Sequence, residues 1–253
     1  MQASDIYKCE NMRAQLKLNI DKNVIIPFNY QYYLSSMIYH FLSVSDSEYA
    51  KRLHEYQKYK FFTYSWLDIP NRTVTKDGMK SNDGHVFLQL SSPNDTFLSV
   101  FLEGMFQEQV LKIGNLEAYP EEIQVIETPE SFDILKTVSP ICLRTQEEVD
   151  GKLKGKDLLP NHSKFFENLK KNLKNKYEMY YDKECQMDFN LEILSAEPKR
   201  IQIKNSFVRC SNLIFKIEGD YDFIKFGYEC GFGEKNSMGF GMVEEKKELK
   251  RKD

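Results

Sequence analysis

The chain has 253 residues, 41% of them hydrophobic and 29% charged, with a formal net charge of −3. That length suits one large or two small domains, and the near-neutral balance excludes a globally basic nucleic-acid binder, so any such activity must rest on local charge. Five cysteines, at 9, 142, 185, 210 and 230, lie too far apart for paired zinc ligands. They read as reduced thiols of an intracellular, cytoplasmic protein. No apolar run reaches about 18 residues, so no transmembrane helix is expected.

Residues 1–11 are unpatterned. "MRAQLKLNI" then alternates, with Ala14, Leu16, Leu18 and Ile20 on one side and Arg13, Gln15, Lys17 and Asn19 on the other, a half-buried strand. After Pro27, "YQYYLSSMIYHFL" has helical spacing with Leu34, Ile38, Phe41 and Leu42 on one face. Ser45 and Glu48 form a capping-box start for "EYAKRLHEY". "KFFTYSWL" and "HVFLQL" read as strands, "DTFLSVFLEGMF" as a second amphipathic helix, and "NLEAYPEEIQVIET" as a closing strand or hairpin. Strand, helix, strand, strand, helix, strand is the ferredoxin-like order.

The second half repeats that order more weakly. "FDILKTVSPICLR" is strand-like, "HSKFFENLKKNLKNKYEMYY" helical, and "DFNLEILSAEPKRIQIK" and "SFVRCSNLIFKIEG" are strands joined by a turn. "DYDFIKFGYECG" is a short helix ending at glycine, and "GFGMVEE" a last strand. The pattern predicts an α+β protein of two tandem ferredoxin-like (RRM-like, βαββαβ) domains, residues 12–128 and 132–246. The mixed-charge tail after them is expected to be solvated.

"GYECGFGEKNSMGFGMV", residues 227–243, gathers Gly227, Gly231, Gly233, Gly239 and Gly241 around Lys235. A dinucleotide fingerprint fails here, because too little chain remains for the helix, strand and distal acidic residue it needs. A P-loop fails for want of Gly-Lys-Ser/Thr. Glycines let main-chain N–H groups approach a phosphate closely, Lys235 adds a cation, and Asn236 and Ser237 add hydrogen-bonding groups. Without a nucleotide fold, the expected owner of that phosphate is a polynucleotide strand.

This segment resembles the C-terminal glycine-rich signature of the CRISPR-associated repeat-cleaving endoribonucleases, the Cas6 family of the RAMP superfamily. The resemblance extends over "PFNYQYYLSSMIY", "LHEYQKYKFFTYS" and "AEPKRIQIK", nearly the whole chain. It implies an enzyme that binds CRISPR precursor RNA and cuts within each repeat to give guide RNAs. A catalytically silent repeat-binding subunit of an effector complex is the alternative.

Metal-free RNA cleavage by the RNA's own 2′-hydroxyl calls for a proton acceptor, a proton donor and a cation at the phosphorane. Four histidines are present: His40, His54, His85 and His162. At 100° per residue Tyr39 falls about 140° from Leu34, off the apolar stripe and free to meet a ligand. The resemblance places the catalytic residues at Tyr39 in "MIYHF", His54 in "RLHEY" and Lys60 in "KYKFF". It implies transesterification to a 2′,3′-cyclic phosphate and a 5′-hydroxyl. His54 would transfer protons, Lys60 would stabilise the phosphorane, and Tyr39 would orient or help activate the 2′-hydroxyl. Which of His54 and Tyr39 is the base is left open.

The implied RNA-binding set is Gly231, Gly233, Lys235, Asn236, Ser237, Gly239 and Gly241 of the loop, with Lys199, Arg200 and Lys204 of "AEPKRIQIK". Residues 151–176 carry eight lysines against Asp157 and Glu167, while residues 103–130 carry seven glutamates against Lys112, so the near-zero total hides a basic region and an acidic one. No acidic run has metal-ligand spacing, and no metal or cofactor is expected. The expected partner is repeat RNA, single-stranded or a weak hairpin, bound by a monomer or homodimer with or without other effector subunits.

Overall fold

A computed structural model describes residues 13–56, 58–149, 151–203 and 206–246. The expectations for residues 1–11, for Lys204 and for the end of the charged tail lie outside these residues. The first unit opens with β1, Arg13–Ile20, followed by α1, Gln31–Ser45, and α2, Ser47–Glu55. β2, Thr63–Tyr64, a side hairpin of β3, Arg72–Val74, and β4, Met79–Ser81, and then β5, His85–Ser91, lead to α3, Asp95–Gln107. β6, Leu111–Ile113, and β7, Leu116–Ile126, close the unit as a hairpin. The sheet order β2-β5-β1-β7-β6 places β1 centrally, antiparallel to β5 and β7, which is the ferredoxin-like arrangement with one added edge strand. The alternation of β1 points Ala14, Leu16, Leu18 and Ile20 into a core built with Leu34, Ile38, Phe41 and Leu42 of α1 and Phe97, Leu98 and Phe101 of α3.

Two local expectations are corrected. The start of α2 is capped by Asp46, whose side chain accepts from the Tyr49 amide at 2.8 Å, not by Ser45. Ser45 is still the last residue of α1, and its hydroxyl donates to Glu103 at 3.0 Å. "KFFTYSWL" contributes only two paired residues. Phe61 sits at φ +52°, and its ring leaves the first unit to meet Tyr180 at 5.1 Å.

The second unit begins with β8, Ile134–Thr137. A hairpin of β9, Arg144–Val149, and β10, Lys152–Asp157, precedes α4, Phe165–Tyr181. The lysine-rich region of residues 151–176 is therefore split between a hairpin and a helix. β11, Phe189–Ile203, and β12, Ser206–Gly219, form a long hairpin. α5, Tyr221–Cys230, follows, then a 3-10 turn at Asn236–Met238 and finally β13, Val243–Glu245. The order β11-β12-β8-β13 repeats the first unit's core topology. Its core joins Leu135, Phe215 and Ile217 of the sheet to Leu169 and Leu173 of α4 and Phe223 and Phe226 of α5.

Specific hydrogen bonds join the two units. Arg13, expected on the open side of its strand, is 2% exposed because the start of β1 abuts the second unit. Its guanidinium donates to the Val243 carbonyl at 2.7 Å and the Tyr228 carbonyl at 2.8 Å, and lies 3.7 Å from the Tyr228 ring centroid. Thr63 donates to the Phe240 carbonyl, Trp66 Nε1 to the Gly239 carbonyl and Tyr180 to the Pro93 carbonyl. The glycine loop is thus part of the seam between the units.

Candidate active site

α2 folds back over α1, and this brings Tyr39 and His54 together. Their rings meet edge to face, 5.5 Å apart at 83°. Tyr39 also packs edge to face on Phe62 and is half-buried, so it is not the free surface tyrosine that helical phase alone suggests. Burial pushes its pKa upward, with Tyr49 a smaller contribution in the same direction. The phenol therefore stays protonated across the neutral range. His54 is exposed in the last turn of α2.

Lys60 completes the cluster, its Nζ 5.6 Å from the centre of the Tyr39 ring. The ammonium donates to the carbonyls of Leu53 and His54, both at 2.6 Å. Those are terminal carbonyls of α2 without a helical partner, and a cation there also complements the helix dipole. Two of the three Lys60 N–H groups therefore fix the backbone of His54. Partial burial lowers the Lys60 pKa.

A groove of about 840 Å³ runs from Lys60 to the glycine loop. Lys58, Tyr59 and Lys60 form one side, Lys235, Asn236 and Ser237 another, and Asn172, Asn175 and Met179 of α4 line a third. The Ser35 hydroxyl, one turn before Tyr39 on α1, donates to the Ser237 carbonyl at 3.2 Å, so α1 ties the loop to the Tyr39 cluster.

Within the loop the geometry corrects the expectation of an open phosphate nest. Gly231, Gly233, Gly239 and Gly241 are buried. The amides of Gly231, Gly239 and Gly241 donate to the carbonyls of Gly227, Asn236 and Pro140. Gly241, at φ +78°, lies so close to the Phe232 carbonyl that no Cβ could fit, and a Cβ on Gly239 would stand 2.6 Å from the Tyr64 ring. These glycines serve close packing at the seam. Asn236 is spent internally as well, donating to the carbonyls of Phe232 and Phe240 and accepting from Lys176. Lys235, itself at φ +59°, and Ser237 remain partly exposed in the groove.

Sequence reasoning missed Lys176. It is 2% exposed and donates to the Gly231 carbonyl at 2.7 Å and to the Gly233 carbonyl and Asn236 Oδ1 at 2.6 Å. Burial lowers its pKa. The available signal was register, because Lys176 stands seven residues after Leu169 and three after Leu173, on the apolar stripe of α4.

The remaining predicted contacts lie elsewhere. Lys199 pairs with Glu197 at 2.5 Å and lines a second cleft with Trp66, Gln89 and Lys136. The Arg200 guanidinium lies 4.0 Å from the ring of exposed Phe207. Among the described residues no group of three or more His, Cys, Asp or Glu is disposed to hold a metal ion, and no helix is long and apolar enough to cross a membrane.

Fold and site together define a two-domain ferredoxin-like protein of the RAMP type. Residues 25–124 match the family model for the N-terminal part of CRISPR-associated protein Cas6, and residues 119–245 match that for its C-terminal part. The chain is 52% identical over 235 residues to CRISPR-associated endoribonuclease Cas6 1 of Methanocaldococcus jannaschii, covering 92% of each chain. It is 34% identical to CRISPR-associated endoribonuclease Cas6 of Pyrococcus furiosus, covering 88% of this chain and 84% of that one. A solved CRISPR-associated protein Cas6 superposes with a TM-score of 0.86 at 51% identity, over 94% of this chain and all of that one. The chain belongs to the Cas6 family of CRISPR-associated endoribonucleases.

Proposed function

We propose that the chain binds the repeat of CRISPR precursor RNA in the groove between Lys60 and Lys235 and cuts it by transesterification at Tyr39, His54 and Lys60. In this reading the first domain, residues 12–128, carries the reacting groups, and the second, residues 132–246, presents the loop. The enzyme acts in the cytoplasm, and its products are guide RNAs.

The observation that supports this most is the gathering of Tyr39, His54 and Lys60, with Lys60 itself lining a groove that carries further cations. The 2′-oxygen attacks the adjacent phosphorus, the bond from phosphorus to the 5′-oxygen breaks, one proton leaves the 2′-hydroxyl and one reaches the departing oxygen. Tyr39, held as a phenol by burial, orients the 2′-hydroxyl by hydrogen bonding. That assigns proton transfer to His54. Lys60, anchored by two hydrogen bonds, has one N–H left for the phosphorane oxygens.

The test is cleavage of end-labelled repeat RNA in EDTA, followed by analysis of the ends. The expected products carry a 5′-hydroxyl and a 2′,3′-cyclic phosphate. A shifted but uncut RNA, or 5′-phosphate ends, would refute the reading.

A further inference from the structure

The groove has a wall that the cleavage chemistry does not use. α4 turns Asn172, Asn175 and Met179 toward it, at a spacing of three and then four residues, which places them on one helix face. The Oδ1 of Asn172 is buried with no hydrogen-bond partner among the described residues. A buried acceptor left unpaired is costly unless a ligand supplies the donor. Tyr59 also lines the groove, and its ring lies 6.2 Å from that of Phe61 and 5.9 Å from Lys176 Nζ.

Charge argues against a phosphate on this wall. The three N–H groups of Lys176 are all taken by the glycine loop, and Glu178 and Glu234 also border the groove. The cations that remain, Lys58, Lys60 and Lys235, belong to the other sides. A groove that carries cations together with an aromatic ring and a side-chain amide sorts a nucleotide into its two halves. Backbone goes to the lysines and base goes to the ring and the amide. The volume of about 840 Å³ falls in the range of sites that enclose a ligand larger than one base, roughly 300–1,000 Å³.

We propose that Tyr59 and Asn172 form a nucleobase pocket that reads one unpaired base of the repeat next to the scissile phosphate. The base stacks on Tyr59, and its edge meets the Asn172 side-chain amide. This rests on the groove being the RNA site.

The experiment uses full-length protein carrying His54→Ala and CRISPR repeat RNA from the same genome, with 2-aminopurine placed at successive positions. One position near the cleavage site changes fluorescence on binding. Tyr59→Ala removes that change and Tyr59→Phe retains it. In the cleaving enzyme, repeats bearing each of the four bases at that position differ at least tenfold in kcat/KM. Asn172→Ala brings them within about threefold of one another, the scale of losing one base-edge contact. Circular dichroism confirms that the variants are folded, and Asn172→Leu is a second probe if the alanine variant is not. Lys235→Ala in parallel weakens binding of every repeat alike. Discrimination that survives in Asn172→Ala while Lys235→Ala weakens binding overturns the base pocket and leaves the groove standing. No effect of either substitution overturns the groove itself.

Discussion

On the proposed mechanism, burial of the Tyr39 ring against His54 and Phe62 has a kinetic consequence. Its pKa is raised, so the proton remains on oxygen well beyond neutrality, and on the proposed mechanism the residue would act as a hydrogen-bonding group. Tyr39→Phe is expected to slow single-turnover cleavage by roughly 10- to 100-fold while its pH–rate profile parallels that of the wild type. A limb of the profile that disappears with the hydroxyl would instead make Tyr39 the titrating group. At this scale the residue types were legible in the sequence through family resemblance, but their surroundings were not. Helical phase put Tyr39 opposite Leu34, yet it carried no information that α2 would cover that flank. Asn236 read as an RNA ligand because amides serve that role on surfaces, whereas here the side chain is consumed by Lys176, Phe232 and Phe240.

The elements that matter most are α4 and the loop it supports. Lys176 is a cation placed on an apolar stripe, and it is tolerated because three oxygens replace its water. Lys176→Met removes the donor to the Gly233 carbonyl and to Asn236 Oδ1 and leaves the Gly231 carbonyl only the weak Cys230 thiol, and is expected to cost about 2–5 kcal/mol. For a protein of this size that lowers Tm by roughly 2–4 °C per kcal/mol. Repeat RNA should also bind more weakly, because the loop that presents Lys235 loses its anchor. An unchanged Tm in a thermal melt would show that the three bonds do not stabilise the loop. Long helices were readable because a 3.6-residue apolar stripe is a strong signal, as in α1 and α3. The β9–β10 hairpin was not, since Lys152, Lys154 and Lys156 alternate with no buried side and lack the pattern that marks a half-buried strand.

Across the whole molecule, the doubled strand order made both sheets deducible, while the seam between them was not. No rule of alternation says that Arg13 closes on Tyr228 and Val243. The same seam holds Glu229 of α5, which is 4% exposed, with Lys225 3.9 Å away and Arg13 and Asp95 acting on it through space. Burial raises its pKa from 4.5 to about 7. The native state therefore binds a proton that the unfolded chain has released between these values, so this group's contribution to stability falls as pH rises through that window. The loss is complete above it and amounts to about 3 kcal/mol at most, at 1.36 kcal/mol per tenfold in proton affinity. Glu229→Gln should raise Tm at pH 8 and change it little at pH 5. Equal shifts at both pH values would contradict this.

On the proposed mechanism, His54 moves protons at a linkage that the groove holds. His54→Ala, measured for both binding and single-turnover cleavage of repeat RNA, tests it directly. The expected result is cleavage slowed by at least about 100-fold with a dissociation constant within about threefold of the wild type. Cleavage at the wild-type rate would contradict it.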